Sequence, residues 1–274
     1  MGFDFHSEGF FGYGEYGSFR YFTLPHFIPL ILLAAAIVLT YRYRETIRNW
    51  KYEERFRYIL SFVMIIVEMC YFWRLLYVGG EGSNTLMDRL PLQLCQWGLI
   101  CCCYMILCKN EFMFNFNFYV SIIFGSAAMI FLTVIVHVSP MYWRYYQFWL
   151  EHALPVYATI YMMFVHGMRP SLKMLPKVMI PVFILGLICI YANNHIDGAV
   201  YMYLGQTSED QMGSNPIVFM PDNQYVRLVM LASIGAGLSV LHYYGWKKFF
   251  DKHDNEEDKK ARKAAIRTDV ITFR

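Results

Sequence analysis

A cysteine and a histidine, two residue types that can do covalent chemistry together, each lie near the start of a long apolar segment. Cys95 lies in Leu-Pro-Leu-Gln-Leu-Cys-Gln (90–96), and His152 lies in Phe-Trp-Leu-Glu-His-Ala-Leu-Pro (148–155). A thiol that gives its proton to an imidazole becomes a nucleophile that can take an acyl group from an ester. This pair of residue types therefore favours acyl transfer through a covalent intermediate.

The composition is that of a membrane protein. Hydrophobic residues make up 57% of the chain and charged residues only 16%, whereas a soluble domain usually has about 25% charged residues. A helix needs about 20 apolar residues to cross a hydrocarbon core of roughly 30 Å. The sequence predicts an all-α, polytopic membrane protein, a seven-transmembrane helix bundle. Its predicted spans are 26–41, 57–78, 91–108, 116–137, 148–168, 176–193 and 225–246.

The positions of Lys and Arg predict how the bundle is oriented. Basic residues are dense in the loop 42–57, and nine more follow from Lys247 onward, whereas the segment 195–224 has none. Because cytoplasmic loops carry the excess of Lys and Arg, this pattern predicts an N-terminus outside and a cytoplasmic C-terminus. The predicted domains are an N-terminal outer segment (1–25), a transmembrane domain (26–246) and a basic cytoplasmic tail (247–274). The first 25 residues lack the features of a cleavable signal peptide.

This topology predicts that Cys95 and His152 lie at the same depth. Each residue is about four positions below the outer boundary of its span, at a rise of about 1.5 Å per residue. A helix N-terminus favours the thiolate form of a cysteine, and a histidine within a span marks a functional site by default. Catalytic and structural roles for His152 both remain open. Gln93 is a candidate donor to an oxyanion by its type alone.

Further polar residues are expected near the same side. Glu68 lies in the second span and is either functional or ion-paired with Arg74, six residues later. His26 opens the first span. Asn194 and Tyr201 follow the sixth span, where they either support the histidine and bind an ester carbonyl or cap a helix end.

Several motifs in this chain resemble those of YwaF-type integral membrane proteins, over roughly residues 26–245. The motifs are Leu-Pro-Leu-Gln-Leu-Cys (90–95), Phe-Trp-Leu-Glu-His (148–152), Arg-Pro (169–170) and the Asn-rich exit of the sixth span. Eukaryotic relatives of these proteins include a transmembrane acyltransferase that makes polyunsaturated ether phospholipids.

The resemblance implies an intramembrane acyltransferase with a Cys nucleophile and a His base. These roles fall on Cys95 and His152, with a phospholipid as acyl donor and a lysophospholipid as acceptor. Asn194, His26 and Glu68 match other polar positions of the family. Val200 departs from the family, which tends to have an Asn at this position, and the departure bears on lipid specificity.

Other functions remain as alternatives. Glu68, Arg74, His152 and His166 could line the polar pathway of a transporter or channel, and a non-catalytic membrane scaffold is the third interpretation. The segment 138–147 has no cysteine to pair with Cys95 as in many seven-helix receptors. The sequence has no Gly-rich phosphate loop, CxxC pair or HExxH motif, so we expect no cofactor, no metal and no nucleic-acid partner. The expected membrane is the plasma membrane in a bacterium and the endoplasmic reticulum in a eukaryote.

Overall fold

A computed structural model describes residues 9–12, 22–78, 90–131, 138–196, 199, 201–205 and 220–271 of the chain. Val200 lies outside the described residues. The described residues form helices and connections without a strand. The helices are α1 (Leu24–Arg42), α2 (Arg44–Arg48), α3 (Glu53–Val78), α4 (Leu94–Cys108), α5 (Glu111–Tyr119), α6 (Ser126–Phe131), α7 (Trp143–Phe164), α8 (Leu175–His195), α9 (Gln224–His253) and α10 (Glu256–Ile271).

Five helical stretches are long and apolar enough to cross a membrane. They are Leu24–Arg42, Glu53–Arg74, Glu111–Phe131, Leu172–His195 and Gln224–His253. The third stretch combines α5, a π-helical turn at Ser121–Gly125 and α6. The prediction of an all-α membrane protein is confirmed, whereas the number of spans and the orientation of the termini stay predictions. Notably, α4 and α7, which carry Cys95 and His152, are not among the five.

Helix α7 lies at the centre of the bundle. It packs against α1, α3, α4, α5, α6 and the π-helical turn, and fifteen of its 22 residues are buried. By contrast, only His26 and Thr40 are buried on α1. Because its neighbours shield α7 from lipid, α7 can carry polar side chains that a lipid-facing helix could not. Pro155 within α7 has no N–H to donate to the carbonyl of Glu151, which loosens the helix next to His152.

One end of the bundle, where α1 and α7 end and α3 begins, is held by ion pairs; we call it the basic end. Asp258 accepts hydrogen bonds from Arg44 and Arg48 at 2.9–3.1 Å. Arg48 also donates to the carbonyl oxygens of Val165 (2.8 Å) and Phe164 (2.9 Å). These carbonyls lie at the end of α7, where a cation is stabilising. The cluster therefore joins α2, α7 and α10.

A second buried cluster at the basic end centres on Glu53 at the start of α3. Its carboxylate accepts hydrogen bonds from Arg57 at 3.0 Å and from the Tyr161 hydroxyl at 2.8 Å. It also lies 2.7 Å from His166 Nε2. Arg57 also donates to the Ile106 carbonyl at 2.5 Å. These contacts tie α3 to α4 and α7, so that the basic end fixes the spacing of the three helices that surround the polar interior.

The C-terminal region packs onto the basic end. Helix α9 continues beyond residue 246, and Arg169 donates to the Asp254 carboxylate at 2.8 and 2.9 Å. Gly167 has a positive φ of 70°, and a Cβ atom there would lie 2.5 Å from the Arg262 backbone nitrogen. A larger residue would therefore push α10 away.

We expect Asp258→Asn to lower the free energy of unfolding by about 1–3 kcal/mol, because two arginines lose a charged acceptor. Burial raises the pKa of Asp258, but hydrogen bonds from Arg44 and Arg48 outweigh this effect and leave the pKa below its ordinary value. The carboxylate's contribution to stability is therefore present above a pH of about 3.9 and lost as the pH falls through the lowered pKa.

Thermal unfolding of purified protein between pH 3 and pH 7 measures the stability difference between Asp258→Asn and the wild type. Asp251→Asn, at an exposed position, is the control. Equal melting temperatures for both variants at pH 7 would show that the ion pairs of Asp258 with Arg44 and Arg48 do not stabilise the fold.

Candidate functional site

The start of α4 positions Cys95. Gln93 is the extended residue before the helix, and its backbone N–H donates to Gln96 Oε1 at 3.2 Å. Cys95 is the second residue of α4 and is half-buried. The thiol therefore lies in the first turn of a helix, where unpaired backbone N–H groups carry partial positive charge.

A backbone contact determines which nitrogen of His152 is free. Nδ1 lies 2.8 Å from the carbonyl oxygen of Phe148, one turn earlier in α7. A carbonyl can only accept, so Nδ1 carries the proton and Nε2 has the lone pair. The Phe148 ring, whose centroid is 4.5 Å from that of the imidazole, further restricts the orientation of His152.

Helices α4 and α7 bring three reactive side chains together. Cys95 Sγ, a carboxylate oxygen of Glu151 and a ring nitrogen of His152 all lie within 4.8 Å of one another. We call these three residues the Cys–Glu–His cluster. Among the described residues, no other set of three His, Cys, Asp or Glu side chains comes as close. The thiol and the imidazole are thus near enough for a small rotation to join them.

A polar stripe on α7 compensates the charge of Glu151. Arg144, Gln147 and Glu151 are spaced by three and four residues, which places them on one helix face. Gln147 Nε2 donates to Glu151 Oε2 at 2.6 Å, and Arg144 donates to Gln147 Oε1. Arg144 Nη1 also lies 3.8 Å from Glu151 Oε2. The stripe satisfies a buried carboxylate inside the protein.

Glu68 faces the same polar interior from α3. Both of its carboxyl oxygens are buried. Glu151, Gln96 and Arg144 are the polar groups next to it, and the Gln96 amide is within hydrogen-bonding reach. The ion pair with Arg74, one of the two interpretations of Glu68, is not formed. Arg74 instead donates to the carbonyl oxygens of Phe11 and Gly12, because the segment 9–12 reaches the end of α3.

His26 and Gln93 have structural contacts away from the thiol. His26 Nδ1 accepts from the Phe22 N–H at 3.1 Å, and its Nε2 lies 3.2 Å from the carbonyl oxygen of Met129. It therefore joins α1 to α6. Gln93 Oε1 accepts from the backbone N–H of Met202 at 3.4 Å, which links the start of α4 to the segment after α8.

Asn194 and Tyr201 belong to a network at the end of α8. Asn194 exchanges two hydrogen bonds with Gln224 on α9, at 3.0 and 3.1 Å. The neighbouring Asn193 exchanges two with the backbone of Tyr201, at 2.8 and 3.0 Å. The side chains of this network hold backbone and helix ends in place, and within the described residues Asn193 and Asn194 form no hydrogen bond with Cys95 or His152.

The polar residues suggested for a transport pathway fall into two separate clusters. His166 binds Glu53 at the basic end, whereas His152 lies fourteen residues earlier, about 21 Å away along a helix. Buried apolar side chains fill the layer between them: Met64, Leu99, Met105, Met162 and Met163. Ser61 and Thr159 are polar side chains buried on the same helices, and Thr159 Oγ1 donates to the Pro155 carbonyl at 2.7 Å.

Glu151 is the site residue to which the sequence analysis gave no role. The sequence does contain a signal for it. Arg144, Gln147 and Glu151 are three and four residues apart, which is the spacing that places polar side chains on one face of a helix. What the spacing could not reveal is that this stripe turns toward Cys95 rather than toward lipid headgroups.

Lipid-facing apolar helices around a buried polar site define an integral membrane protein with its reactive groups inside the bundle. Residues 21–243 match the TMEM164 family, and because this match covers most of the chain, the protein belongs to that family of transmembrane proteins. The YwaF-type label is not carried by this match and stays a prediction. Comparisons with curated proteins and with solved structures found no match.

We expect Gly98→Ala to disturb the position of α4. A Cβ at Gly98 would lie 2.6 Å from Ser121 Oγ, which donates to Asn117 at 2.7 Å. Overpacking of this kind costs about 1–3 kcal/mol, which thermal unfolding in lipid nanodiscs measures.

The control for this variant is Gly237→Ala, where a Cβ meets nothing within 4 Å and helix propensity alone would stabilise by up to about 1 kcal/mol. Adding Ser121→Ala to Gly98→Ala should recover most of the loss. Equal effects of the two alanines would show that the close approach of α4 to the π-helical turn has no energetic weight.

Proposed function

We propose that this protein moves a fatty acyl chain between phospholipids through a thioester on Cys95, with His152 as the base. The observation that carries the proposal is the separation of Cys95 Sγ and a His152 ring nitrogen, which is within 4.8 Å. The Nδ1 contact to Phe148 supports it, because the lone pair on Nε2 is the one a base needs. Membership of the TMEM164 family supports a function in the membrane.

In the first step, Nε2 of His152 takes the thiol proton as Cys95 Sγ attacks the ester carbonyl carbon of a phospholipid. The tetrahedral intermediate collapses with cleavage of the ester C–O bond. The leaving lysophospholipid oxygen takes the proton back from the imidazolium. The products are an acyl-thioester on Cys95, a free lysophospholipid and a neutral His152.

In the second step, the hydroxyl of an acceptor lysophospholipid gives its proton to Nε2 and attacks the thioester carbonyl. The C–S bond breaks, and the Cys95 thiolate regains the proton from the imidazolium. The protein ends as it began, and one acyl chain has moved. Water in place of the acceptor would release a fatty acid, so the apolar surroundings of the site favour transfer over hydrolysis.

Glu151 supports the charge that forms during both steps. An imidazolium within 4.8 Å of a carboxylate is stabilised by their attraction, which is stronger in a site that excludes water. The oxyanion of each tetrahedral intermediate needs donors aimed at it. The amide of Gln96, next to Cys95 in α4, supplies one candidate donor.

The same proposal includes the full topology. Seven helical crossings, with α4 and α7 shielded by the other five, place the N-terminus outside and the basic end in the cytoplasm. The Cys–Glu–His cluster then lies toward the outer leaflet. Phospholipids reach it between the apolar faces of the surrounding helices.

The test of the chemistry is an acyl adduct on Cys95. Purified protein incubated with phospholipid vesicles should gain the mass of an acyl chain, and hydroxylamine should remove it because thioesters are labile. Cys95→Ala should abolish the adduct, and His152→Gln should slow its formation by about 10²–10⁴-fold, the usual contribution of a general base.

Cys108→Ala is the matched control, because Cys108 is exposed at the other end of α4 and is open to ordinary palmitoylation. The adduct should persist in this variant. An adduct that survives Cys95→Ala, or a wild type that never becomes acylated with any phospholipid supplied, would exclude the mechanism.

The topology predicts on which side Cys108 is labelled. A membrane-impermeant maleimide should modify Cys108 only after cells are permeabilised, as mass spectrometry of the peptide would show. A cysteine introduced as Met141→Cys, at an exposed position before α7, should react in intact cells. Labelling of Cys108 in intact cells would reverse the proposed orientation.

A further inference from the structure

We propose that the Cys–Glu–His cluster is also a binding site for a thiophilic divalent cation, represented by Zn²⁺, and that bound metal switches acyl transfer off. The ligands would be Cys95 Sγ, a carboxylate oxygen of Glu151 and Nε2 of His152. The metal site goes beyond the proposed function, and only the inhibitory effect rests on it. The sequence predicted no metal because its motifs are local, whereas these ligands lie on two separate helices.

The ligand set suits this class of cation. Zn²⁺ is bound by thiolate, imidazole and carboxylate groups at about 2.0–2.3 Å, which places tetrahedral ligand atoms about 3.5 Å from one another. Cys95 Sγ, a carboxylate oxygen of Glu151 and a ring nitrogen of His152 already lie within 4.8 Å of one another. Side-chain rotation on the order of 1 Å would complete the geometry. Hard cations such as Mg²⁺ prefer all-oxygen ligands and fit this set poorly.

The groups behind the ligands are those that a metal site uses. A metal-binding histidine usually donates its other ring N–H to a carbonyl or carboxylate, which fixes the lone pair toward the metal. His152 does this through Phe148, at 2.8 Å. Glu151 is held in place by Gln147, at 2.6 Å. Both ligands on α7 are thus oriented before any metal arrives.

The charges at the site are compatible with a dication. Zn²⁺ would be neutralised by the thiolate and the Glu151 carboxylate, and the thiol proton would be released to water. Arg144, 3.8 Å from Glu151, opposes the metal. Glu68 faces the same interior from α3, beside Glu151 and Arg144. The fourth coordination position stays open to water.

Bound metal would block both of the groups on which acyl transfer depends, the Cys95 thiol and the His152 imidazole. The Sγ lone pair that attacks the ester and the Nε2 lone pair that takes the proton would each be engaged in a metal bond. A reversible cation therefore converts the nucleophile–base pair into an inert complex, and a chelator restores it.

The experiment uses Co²⁺ as a spectroscopic probe of full-length, EDTA-treated protein in lipid nanodiscs. One equivalent should give a cobalt–thiolate charge-transfer absorption and the visible bands of tetrahedral coordination, and one equivalent of Zn²⁺ should abolish both. Cys95→Ala should lose the charge-transfer band. Glu151→Gln, which keeps the shape of the side chain, should weaken binding at least tenfold. Cys108→Ala should bind like the wild type, and thermal unfolding checks that each variant is folded.

Activity is a separate readout. One equivalent of Zn²⁺ should block formation of the hydroxylamine-labile adduct, and EDTA should restore it. No cobalt band in the wild type, or an affinity in Cys95→Ala and Glu151→Gln equal to that of the wild type, would overturn the metal site. Metal binding with unchanged acylation would overturn the switch. A cobalt band with no acylation of the metal-free protein would overturn the proposed function and leave the metal site standing.

Discussion

The structure depends on one constraint: the polar face of α7 is buried in an apolar bundle and must find its partners within the protein. A buried carboxylate or imidazole without a partner costs several kcal/mol or more. Gln147 donates a hydrogen bond to Glu151, and the Phe148 carbonyl accepts one from His152. Neighbouring helices cover α7 on many sides. Separating α4 or α3 from α7 would expose this face to lipid. The polar groups that make the site reactive thus also determine how its helices must pack.

The basic end supports the same arrangement from the other side. Arg48 binds the last carbonyl oxygens of α7, and Glu53 connects α3 to the same helix through Tyr161. Both contacts act on the end of α7 that is distant from His152. These charged contacts lie about 14–20 Å from His152 along the helix, and they help to hold α7 in place along the bundle.

Hydropathy and charge predicted the class of fold and nearly all the helices, because both follow from the cost of placing polar groups in lipid. They missed the start of α7, which begins at Trp143 rather than near residue 148. Its first turns carry the polar residues Arg144 and Gln147, so hydropathy assigned them to a loop. Hydropathy cannot detect polar groups that are paired inside a bundle. For the site, equal depth predicted that Cys95 and His152 are close, and their side chains lie within 4.8 Å of each other; their catalytic roles stay predictions. The partners of Glu68, Asn194 and His26 could not be predicted, because they depend on which helices are neighbours.

The chemistry proposed for the site follows from its net charge. The thiol and imidazole are neutral before the reaction, and Glu151 is balanced by Arg144 through Gln147. Proton transfer from Cys95 to His152 creates two opposite charges and no net charge, so it adds little cost in an apolar site if the two stay close. Glu151 opposes the thiolate but stabilises the imidazolium. A dication can replace the thiol proton, because the thiolate and the Glu151 carboxylate then supply two negative charges. The cluster is therefore suited to a transient ion pair and to a metal for the same electrostatic reason.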